Sequence, residues 1–490
     1  MRTSGILMHI SSLPSPGGIG SLGKEAFEFA DFLQAAGMGI WQVLPVGPTG
    51  YGDSPYQSSS VFAGNPLLIS CRKLREDGLL SYDDEEEFTP LFDDRVDFES
   101  VKQNKNLLLR KCYAQSAVRL TGLVDSFQAE NPWVSDFALF TAVKEHFGHV
   151  MWTQWPDRDI RMRKPEALEK YRALLKDEIA FHIFCQYLFR RQWLDLRDYC
   201  RERGIKLFGD MPIYVAEDSV DTWTHPEIFQ LDKNRVPKRV AGVPPDIFSA
   251  DGQLWGNPLY RWNYLRFRKF EWWVARMKGM AKLYDIIRID HFIGFANYYS
   301  IPHGAKNARH GKWVKAPGKA LFRRLNAKVP DIRIIAEDLG DASPRVKKLL
   351  KWCGFPGMKV LTFGFDGDKS NPHYPGNYTE NYVAYTGTHD NDTTLGWAEK
   401  ADPEVLKFAM KELGFSKVEE APEAFIQALF RLPCDTVIVP MQDILGLDGS
   451  ARMNYPSTIG GNWLWRMKPG QLTGDLSMKY YLLNKQTNRR

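Results

Sequence analysis

The chain has 490 residues, of which 44% are hydrophobic and 25% are charged, a balance that is ordinary for a globular protein. The 64 basic and 59 acidic residues give a net charge of +5, and no block of basic residues stands out. This pattern argues against a nucleic-acid or membrane partner. Six cysteines without CxxC spacing argue against a disulfide framework or a zinc site, and no apolar run approaches a membrane span. We therefore expect a soluble cytoplasmic protein.

Short apolar segments that are typical of buried β-strands occur along the whole chain. Several are nearly continuous apolar runs, as expected for parallel strands that are covered on both faces. The predicted strands are Gly5–Ile10, Ile40–Val46, Ile205–Asp210, Tyr284–His291, Ile332–Glu337, Met358–Phe363, Tyr382–Thr386 and Asp435–Pro440.

Amphipathic segments between most of these strands predict helices. The clearest are Lys24–Ala36, Asn263–Lys282, Lys319–Lys328, Pro344–Cys353 and Pro403–Leu413. Strands that alternate with helices favour an α/β protein, and eight such strands predict a (β/α)8 TIM barrel. Only 50 residues follow Pro440, which is too few for a C-terminal β-domain.

Two connections are too long for simple turns between a strand and a helix. Residues 60–204 are rich in helical patterns, including Val101–Val118 and Asp177–Arg201, and predict an inserted helical subdomain. Residues 212–283 are dense in Pro, Gly and Trp and predict a second insertion with an active-site loop. Long insertions after barrel strands usually build the walls of the site. We expect a single catalytic barrel over residues 1–490.

Acidic residues end at least four of the predicted strands. They are Asp210, Asp290, Glu337 and Asp390, with Arg288 close to Asp290 and His389 next to Asp390. Barrel enzymes place their catalytic groups at this end of the strands, so we expect the carboxylates to converge on one mouth. The alternative is that some of them cap helices, above all the neighbouring Asp338 and Asp392.

We expect neither a metal nor another cofactor. Several carboxylates at one mouth could bind a divalent cation, but Arg288 would lie beside the ion and no spacing typical of a ligand set occurs. The segment Gly18–Glu25 nearly matches a phosphate-binding loop. Its last position is Glu25 in place of the Ser or Thr that would bind magnesium, so we interpret it as a loop of the barrel.

Paired carboxylates are what cleavage of a glycosidic bond requires. One stays ionised to attack or stabilise an oxocarbenium-like centre, and the other must hold a proton for the leaving oxygen. Asp290 suits the first role, because Arg288 lies two residues away on a strand, points the same way and favours a charged carboxylate. Glu337 suits the second role, because the apolar run Ile334–Ala336 would desolvate it.

Distinctive motifs follow one another through the whole chain. They are His9–Gly20, Tyr51–Gln57, Phe62–Pro66, Gly209–Val215, Gly242–Asp246, Gly252–Tyr260, Arg288–Phe292, Ala336–Gly340, Gly387–Asp392, Arg452–Pro456 and Gly461–Trp463. Together and in this order, they make the chain resemble the 4-α-glucanotransferases of glycoside hydrolase family 77, also called amylomaltases or disproportionating enzymes.

The resemblance implies transfer of α-1,4-glucan segments from a maltooligosaccharide to the 4-hydroxyl of an acceptor glucose or glucan, by a retaining double displacement without a cofactor. Asp290 matches the nucleophile that forms the covalent intermediate, Glu337 the general acid/base, and Asp390 the third carboxylate, which binds sugar hydroxyls. Residues that match substrate-binding positions are Tyr56, Asp210, Trp255, Arg288, His291, Asp366, His389 and Asn462.

Two other functions stay open on the residues alone. An α-amylase-type hydrolase uses the same chemistry, and only the resemblance favours transfer over hydrolysis. A non-catalytic glucan-binding protein is disfavoured, because a binding module needs no buried acid. The chain departs from the family at Asp251, Arg261, Ala296 and Ser457, which leaves its preference for donor and acceptor length open.

Overall fold

Eight parallel strands form a nearly closed barrel in the computed structural model, which describes residues 2–81, 90–245, 249–340 and 343–489. Asp246, the last residue of one motif, lies outside these residues. The described residues form twelve strands, eight of which belong to the barrel. In chain order the twelve are β1 Thr3–Leu7, β2 Ile40–Gln42, β3 Lys206–Pro212, β4 Arg239–Val243, β5 Gln253–Pro258, β6 Ile286–Asp290, β7 Asn297–Pro302, β8 Lys312–Lys315, β9 Arg333–Ala336, β10 Gly357–Val360, β11 Tyr382–Tyr385 and β12 Thr436–Pro440.

Hydrogen-bonded neighbours in the barrel follow the order β10, β11, β12, β1, β2, β3, β6 and β9. The two ends of this order meet where the Ala336 N–H donates to the Pro356 carbonyl at 2.9 Å. The eight strands are those expected from the sequence, with small differences at their ends. The α/β class and the (β/α)8 barrel are thus confirmed.

Helices account for most of the remaining regular structure. In chain order they are α1 Lys24–Ala35, α2 Cys71–Glu76, α3 Phe98–Glu130, α4 Trp133–His146, α5 Arg158–Arg161, α6 Pro165–Leu174, α7 Lys176–Glu202, α8 Val220–Thr224, α9 Trp262–Phe267, α10 Glu271–Ala281, α11 Gly318–Lys328, α12 Pro344–Cys353, α13 Thr394–Lys400, α14 Pro403–Leu413, α15 Ala421–Arg431, α16 Met441–Ile444 and α17 Gly474–Gln486. Within the described residues, none of these helices has the length and apolar character needed to cross a membrane.

The barrel interior is filled by at least one apolar side chain from each barrel strand. These side chains belong to one core cluster, which includes Leu7, Ile40, Phe208, Ile286, Ile335, Met358, Val383 and Ile438. Their chain neighbours on the strands belong to a larger cluster that includes the helices. Alternate strand residues therefore face inward and outward, as the period of two requires.

The predicted helix Asn263–Lys282 is wrong in one respect, because the chain forms two helices there. α9 ends at Phe267 and α10 begins at Glu271. Between them, Lys269 and Phe270 have left-handed backbone conformations, with φ of 51° and 56°. A left-handed residue cannot continue a right-handed helix, so the chain turns at this point.

The loop that follows β2 is fixed by the long helix α7. Gln186 exchanges two hydrogen bonds with the backbone of Gly64, both at 2.8 Å. Gln192 does the same with Ser70, at 2.7 and 3.1 Å. This loop also carries Tyr56, so helix α7 holds one wall of the barrel mouth in place.

A second sheet, which we did not predict, lies beside the barrel. Its four antiparallel strands follow the order β5, β4, β7 and β8. Two of them precede the barrel strand β6 in the chain and two come after it. Gly242 permits the close pairing of β4 with β5, since a Cβ there would lie 2.2 Å from the Gln253 carbonyl oxygen. We refer to these strands as the outer sheet.

Candidate active site

The predicted carboxylates lie at the carboxyl ends of the barrel strands. Asp210 lies near the end of β3 and Asp290 ends β6, while Glu337 follows β9 and Asp390 comes after β11. In the parallel register of β3 and β6, Asp210 lies opposite Arg288. Since these ends of parallel strands share one mouth, the residues lie where barrel enzymes have their active sites.

Arg288 binds two of the carboxylates with one guanidinium group. Its Nη1 lies 2.6 Å from Asp210 Oδ2, and its Nη2 lies 2.9 Å from Asp290 Oδ1. Tyr56 donates its hydroxyl to the same Asp210 oxygen at 2.7 Å. Burial acts to lower the pKa of Arg288, but the Asp210 and Asp290 carboxylates raise it well above its ordinary value. The guanidinium therefore stays charged.

Asp290 is the member of this group that a ligand can reach. Its side chain is 28% exposed, whereas that of Asp210 is fully buried. Because Arg288 binds only Oδ1 among the contacts described, it orients the Asp290 carboxylate without covering it. The arrangement gives an accessible carboxylate at the mouth, beside a charged guanidinium.

Glu337 is buried, and two backbone N–H groups bind its carboxylate. His291 donates to Oε2 and Leu339 donates to Oε1, each at 2.8 Å. His291 has a left-handed backbone, with φ of 52°, which is uncommon for a residue other than glycine. Burial and the Asp290 carboxylate raise the pKa of Glu337 to about 7, against the opposing effect of Arg288. Near neutral pH, Glu337 can therefore both give and accept a proton.

Asp390 is held by a loop that follows β12. Asn454 Nδ2 donates to Asp390 Oδ1 at 2.7 Å, and Arg452 Nη2 donates to the Asp390 carbonyl at 2.6 Å. His389 Nε2 lies 3.4 Å from the same Oδ1. The Asp390 side chain remains 41% exposed. Sequence reasoning missed Arg452 and Asn454 as site residues, although the motif that contains them was a signal.

Aromatic rings flank the carboxylates in two groups. Tyr56 stacks on His389, with ring centres 5.2 Å apart, and Trp463 lies 5.8 and 6.0 Å from these two rings. In the other group, Trp255 on β5 packs edge to face against His291 at 4.8 Å. Flat rings of this kind pack well against the C–H faces of sugars. Trp463 is a further ring that we did not predict, although it ends a motif.

Two predicted substrate-binding residues shape loops of their own. Asp366 is exposed, and its carboxylate accepts hydrogen bonds from the Asp368 N–H at 3.0 Å and from Asn371 at 2.8 Å. Asn462 is buried, and its Oδ1 accepts a hydrogen bond from the Tyr455 N–H at 2.9 Å. In the described part of the chain, neither side chain forms a hydrogen bond with the carboxylates at the mouth.

Asp338 and Asp392, for which we considered helix capping, bind other groups. Asp338 accepts a hydrogen bond from the Met358 N–H at 2.8 Å, which joins the end of β9 to the start of β10. Asp392 forms an ion pair with Lys400 at 2.6 Å, while Thr393 caps α13. Both carboxylates thus stabilise the frame of the site.

A cluster with metal-ligand chemistry lies on helices α4 and α7. Glu145, Glu178 and His182 bring their ligand atoms within 4.8 Å of one another. Arg110 already pairs with Glu178 at 2.6 Å and lies 3.9 Å from Glu145. The arginine supplies the positive charge that a cation would bring, so this is best described as an ion-pair network.

Comparison with known proteins assigns the family. The sequence model of the family described as 4-alpha-glucanotransferase matches residues 8–473. The chain belongs to this family. The 4-alpha-glucanotransferase of Clostridium butyricum is 46% identical over 484 residues, which cover 98% of this chain and 99% of that protein. The 4-alpha-glucanotransferase of Thermus thermophilus is 43% identical over 501 residues, which cover 100% of this chain and 99% of that protein.

Solved structures agree with this assignment. The amylomaltase from Streptococcus agalactiae, solved in complex with acarbose, has a TM-score of 0.98 and 42% identity, with 100% of both chains covered. The amylomaltase from Corynebacterium glutamicum has a TM-score of 0.79 at 19% identity, covering 100% of this chain and 75% of that one, and shows a shared fold. This member of the 4-α-glucanotransferase family is therefore an enzyme that catalyses glucan transfer.

Proposed function

We propose that the enzyme transfers α-1,4-glucan segments from a donor maltodextrin to the 4-hydroxyl of an acceptor glucose or glucan, by a retaining double displacement. The observation that carries this proposal is the unequal environment of two neighbouring carboxylates. Asp290 is accessible and bound by Arg288, whereas burial raises the pKa of Glu337 to about 7. Such a pair can supply the nucleophile and the proton donor that the reaction needs.

In the first step, Glu337 gives its proton to the leaving glycosidic oxygen while Asp290 attacks the anomeric carbon. The bond to the leaving glucan breaks as a covalent β-glycosyl bond to Asp290 forms. In the second step, the ionised Glu337 takes the proton of the acceptor 4-hydroxyl. That oxygen attacks the same carbon and releases Asp290, so two inversions retain the α-linkage.

The other residues of the mouth have supporting roles in this proposal. Arg288 orients Asp290 and keeps a positive charge beside it. Asp390, with His389 next to it, binds hydroxyls of the reacting sugar, and Asn454 fixes the Asp390 carboxylate. Tyr56 contributes a ring that stacks on His389.

Transfer in preference to hydrolysis requires an acceptor site that binds a sugar before water reaches the intermediate. We assign this site to the loop Gly252–Tyr260, because Trp255 packs on His291, whose N–H binds Glu337. The segments 60–204 and 212–283 form walls of the cleft in this proposal.

Maltooligosaccharides and other α-1,4-glucans are the proposed donors. The family assignment and the acarbose complex of the Streptococcus agalactiae amylomaltase support this class of ligand. All six cysteines are free thiols, which supports a cytoplasmic location. An α-amylase-type hydrolase is the alternative, because it would use the same pair of carboxylates.

Incubation with maltotriose distinguishes transfer from hydrolysis. Transfer yields glucose and maltodextrins longer than maltotriose, while the concentration of reducing ends stays constant, since each broken bond is replaced by a new one. Hydrolysis raises the concentration of reducing ends steadily. A steady rise without longer products would contradict the proposal.

The variant Asp290→Asn tests the covalent step. We expect it to lower maltotriose turnover by about 10³-fold or more, because an amide cannot form the glycosyl intermediate, while glucan binding remains measurable by calorimetry. Asp159→Asn, at an exposed carboxylate of α5, serves as a control and should keep full activity. Near-normal turnover of Asp290→Asn would remove Asp290 from the nucleophile role.

A further inference from the structure

One face of the molecule is rich in lysine and arginine. Residues 312–328, which contain β8 and α11, have no aspartate or glutamate, and neither does α12. The first acid that follows α11 in the chain is Asp331. The exposed cations of these three elements include Lys312, Lys315, Lys319, Arg323, Lys348 and Lys351, and we call this set of six the basic face.

Packing brings the three elements together. The apolar sides of α11 and α12 are buried, so their charged sides point outward. The ring of Trp352 on α12 lies 5.7 Å from Lys319 Nζ and 5.9 Å from Arg323 Cζ, both on α11. Arg345 at the start of α12 donates to the Ala316 carbonyl at 3.2 Å, directly after β8. The basic face is therefore one continuous surface.

Among the described residues, no ion pair involves a cation of the basic face. The ion pairs formed by the described residues involve other cations, such as Arg309, which binds Asp251 at 2.6 Å in the loop before β8. Lys319 and Arg323 are four residues apart on α11, a spacing at which like charges destabilise a helix. An anionic partner would remove this repulsion, so the surface is suited to bind one.

Two exposed tryptophans accompany the cations. Trp313 on β8 is 50% exposed and Trp352 on α12 is 40% exposed. Tyr299 packs against Trp313 at 5.3 Å, and its own hydroxyl donates to the Ala308 carbonyl at 3.0 Å. Trp313 is thus supported by a fixed neighbour and presents a flat apolar surface. The outer sheet runs from Trp313 at one edge to the strand of Trp255 at the other, which joins this surface to the cleft.

We propose that the basic face, with Trp313 and Trp352, is a second glucan-binding site, which binds α-glucan that carries phosphate monoesters. Lysine and arginine bind phosphate oxygens by charge-assisted hydrogen bonds, and the rings pack against the sugars. This inference rests on the proposed α-1,4-glucan specificity. When a polymer is bound at this second site, the local concentration of its chains at the cleft rises. This favours repeated transfer on the same polymer molecule.

The observations favour this ligand over other polyanions. The enzyme already acts on glucan, and the sheet that carries Trp313 also carries Trp255 at the cleft. A nucleic acid or an anionic membrane would use the charge but has no connection with the cleft. Binding to these polyanions is therefore measured in the same experiment as a competing outcome.

The test measures binding of the full-length enzyme to phosphorylated amylopectin, and to the same polymer after phosphatase treatment, by co-sedimentation at several salt concentrations. The test variant is K319Q/R323Q/K348Q/K351Q. The matched control is K24Q/K164Q/K407Q/K468Q, which removes the same charge from exposed lysines elsewhere. Single-stranded DNA and vesicles with anionic lipid are measured in parallel.

We expect the test variant to bind phosphorylated amylopectin about tenfold more weakly, the size expected for the loss of four exposed charge contacts. The control variant should stay within about twofold of the parent enzyme, and both should bind the dephosphorylated polymer like the parent. Affinity of the parent for the phosphorylated polymer should fall as salt rises.

The proposal is overturned if the parent binds both polymers equally, or if the test variant loses binding to DNA or vesicles while its binding to phosphorylated amylopectin is unchanged. Transfer on maltotriose is measured for all variants and should equal that of the parent, which confirms that they fold. Binding and maltotriose transfer are separate readouts, so a failure of the proposed transfer reaction would not be mistaken for a failure of this site.

Discussion

Arg288 determines the charge balance of the active site. It lies between the buried Asp210 and the accessible Asp290, and it contacts both within 2.9 Å. Burial raises the pKa of Asp210, and the guanidinium opposes this effect. Without Arg288, two carboxylates would share a poorly solvated space with no cation between them. The arginine is therefore needed for stability as well as for the orientation of Asp290.

Replacement of Arg288 by methionine tests this dependence. We expect Arg288→Met to lower the free energy of unfolding by about 3–5 kcal/mol, because it leaves the Asp210 carboxylate buried and unpaired. Urea denaturation measures the change. The double variant Arg288→Met/Asp210→Asn should recover part of the stability, since it removes the buried charge, but should stay inactive. A single variant as stable as the parent would show that Asp210 does not need its partner.

The pKa of Glu337 predicts the pH dependence of the reaction. Glu337 must be protonated in the first step, and its raised pKa of about 7 keeps it protonated below that pH. We expect kcat/KM for maltotriose to fall by about tenfold per pH unit above pH 7. With α-glucosyl fluoride as donor, the fluoride leaving group needs no proton. The rate of the first step should then not fall above pH 7. The same decrease with both donors would assign it to another group.

The surroundings of Asp290 and Glu337 could be predicted because they depend on local sequence. The period of a strand places Arg288 beside Asp290, and an apolar run precedes Glu337. The hydrogen bonds that complete the site come from residues far away in the chain, such as Asn454 for Asp390 and His291 for Glu337. No local pattern predicts the left-handed backbone that directs the His291 N–H, so tertiary structure was needed to find it.

At the scale of single elements, helix ends were predictable where proline and glycine mark them. α12 and α14 begin with proline and are followed by the left-handed Gly354 and Gly414, and both agree with the predicted bounds. The end of α9 has the same hydrogen bonds as a Schellman motif, from Lys269 to Arg266 and from Phe270 to Leu265. The glycine of that motif is replaced by Lys269, so the sequence showed an uninterrupted helix.

Replacement of this lysine tests the interpretation of the helix end. Lys269 is exposed and its φ is 51°, a conformation that costs a residue with a Cβ about 1 kcal/mol. We therefore expect Lys269→Gly to raise the free energy of unfolding by up to about 1 kcal/mol. Thermal denaturation followed by circular dichroism measures it. Lys269→Ala is the control, because it keeps the Cβ, and a gain of equal size in that variant would reject the backbone explanation.

At the scale of the whole molecule, the barrel was predictable and the outer sheet was not. Most barrel strands are short, largely apolar and buried runs, which is a strong signal. The outer sheet pairs strands on either side of β6 in the chain. Its β8 is largely exposed, and its β5 is mixed in both burial and polarity. The basic face was missed for the same reason. Its charges are divided among three elements that only folding brings together.

The contact between the outer sheet and the barrel leads to a prediction about reaction outcome. Trp255 belongs to the outer sheet, yet its ring packs on His291 at the barrel mouth. If this ring binds the acceptor, Trp255→Ala should raise the KM for acceptor glucose by about tenfold and increase the fraction of intermediates that water captures. Trp255→Phe should lie between that variant and the parent, because it keeps a smaller ring.

The measurement follows reducing ends and longer maltodextrins together, at increasing glucose concentration with maltoheptaose as donor. Tyr481→Ala is the control, since it removes an exposed ring of α17 that belongs to neither proposed glucan site. On a short soluble donor it should leave the ratio of transfer to hydrolysis unchanged. An unchanged ratio of transfer to hydrolysis in Trp255→Ala would place the acceptor elsewhere. The outer sheet would then support the cleft without affecting whether a sugar or water attacks the intermediate.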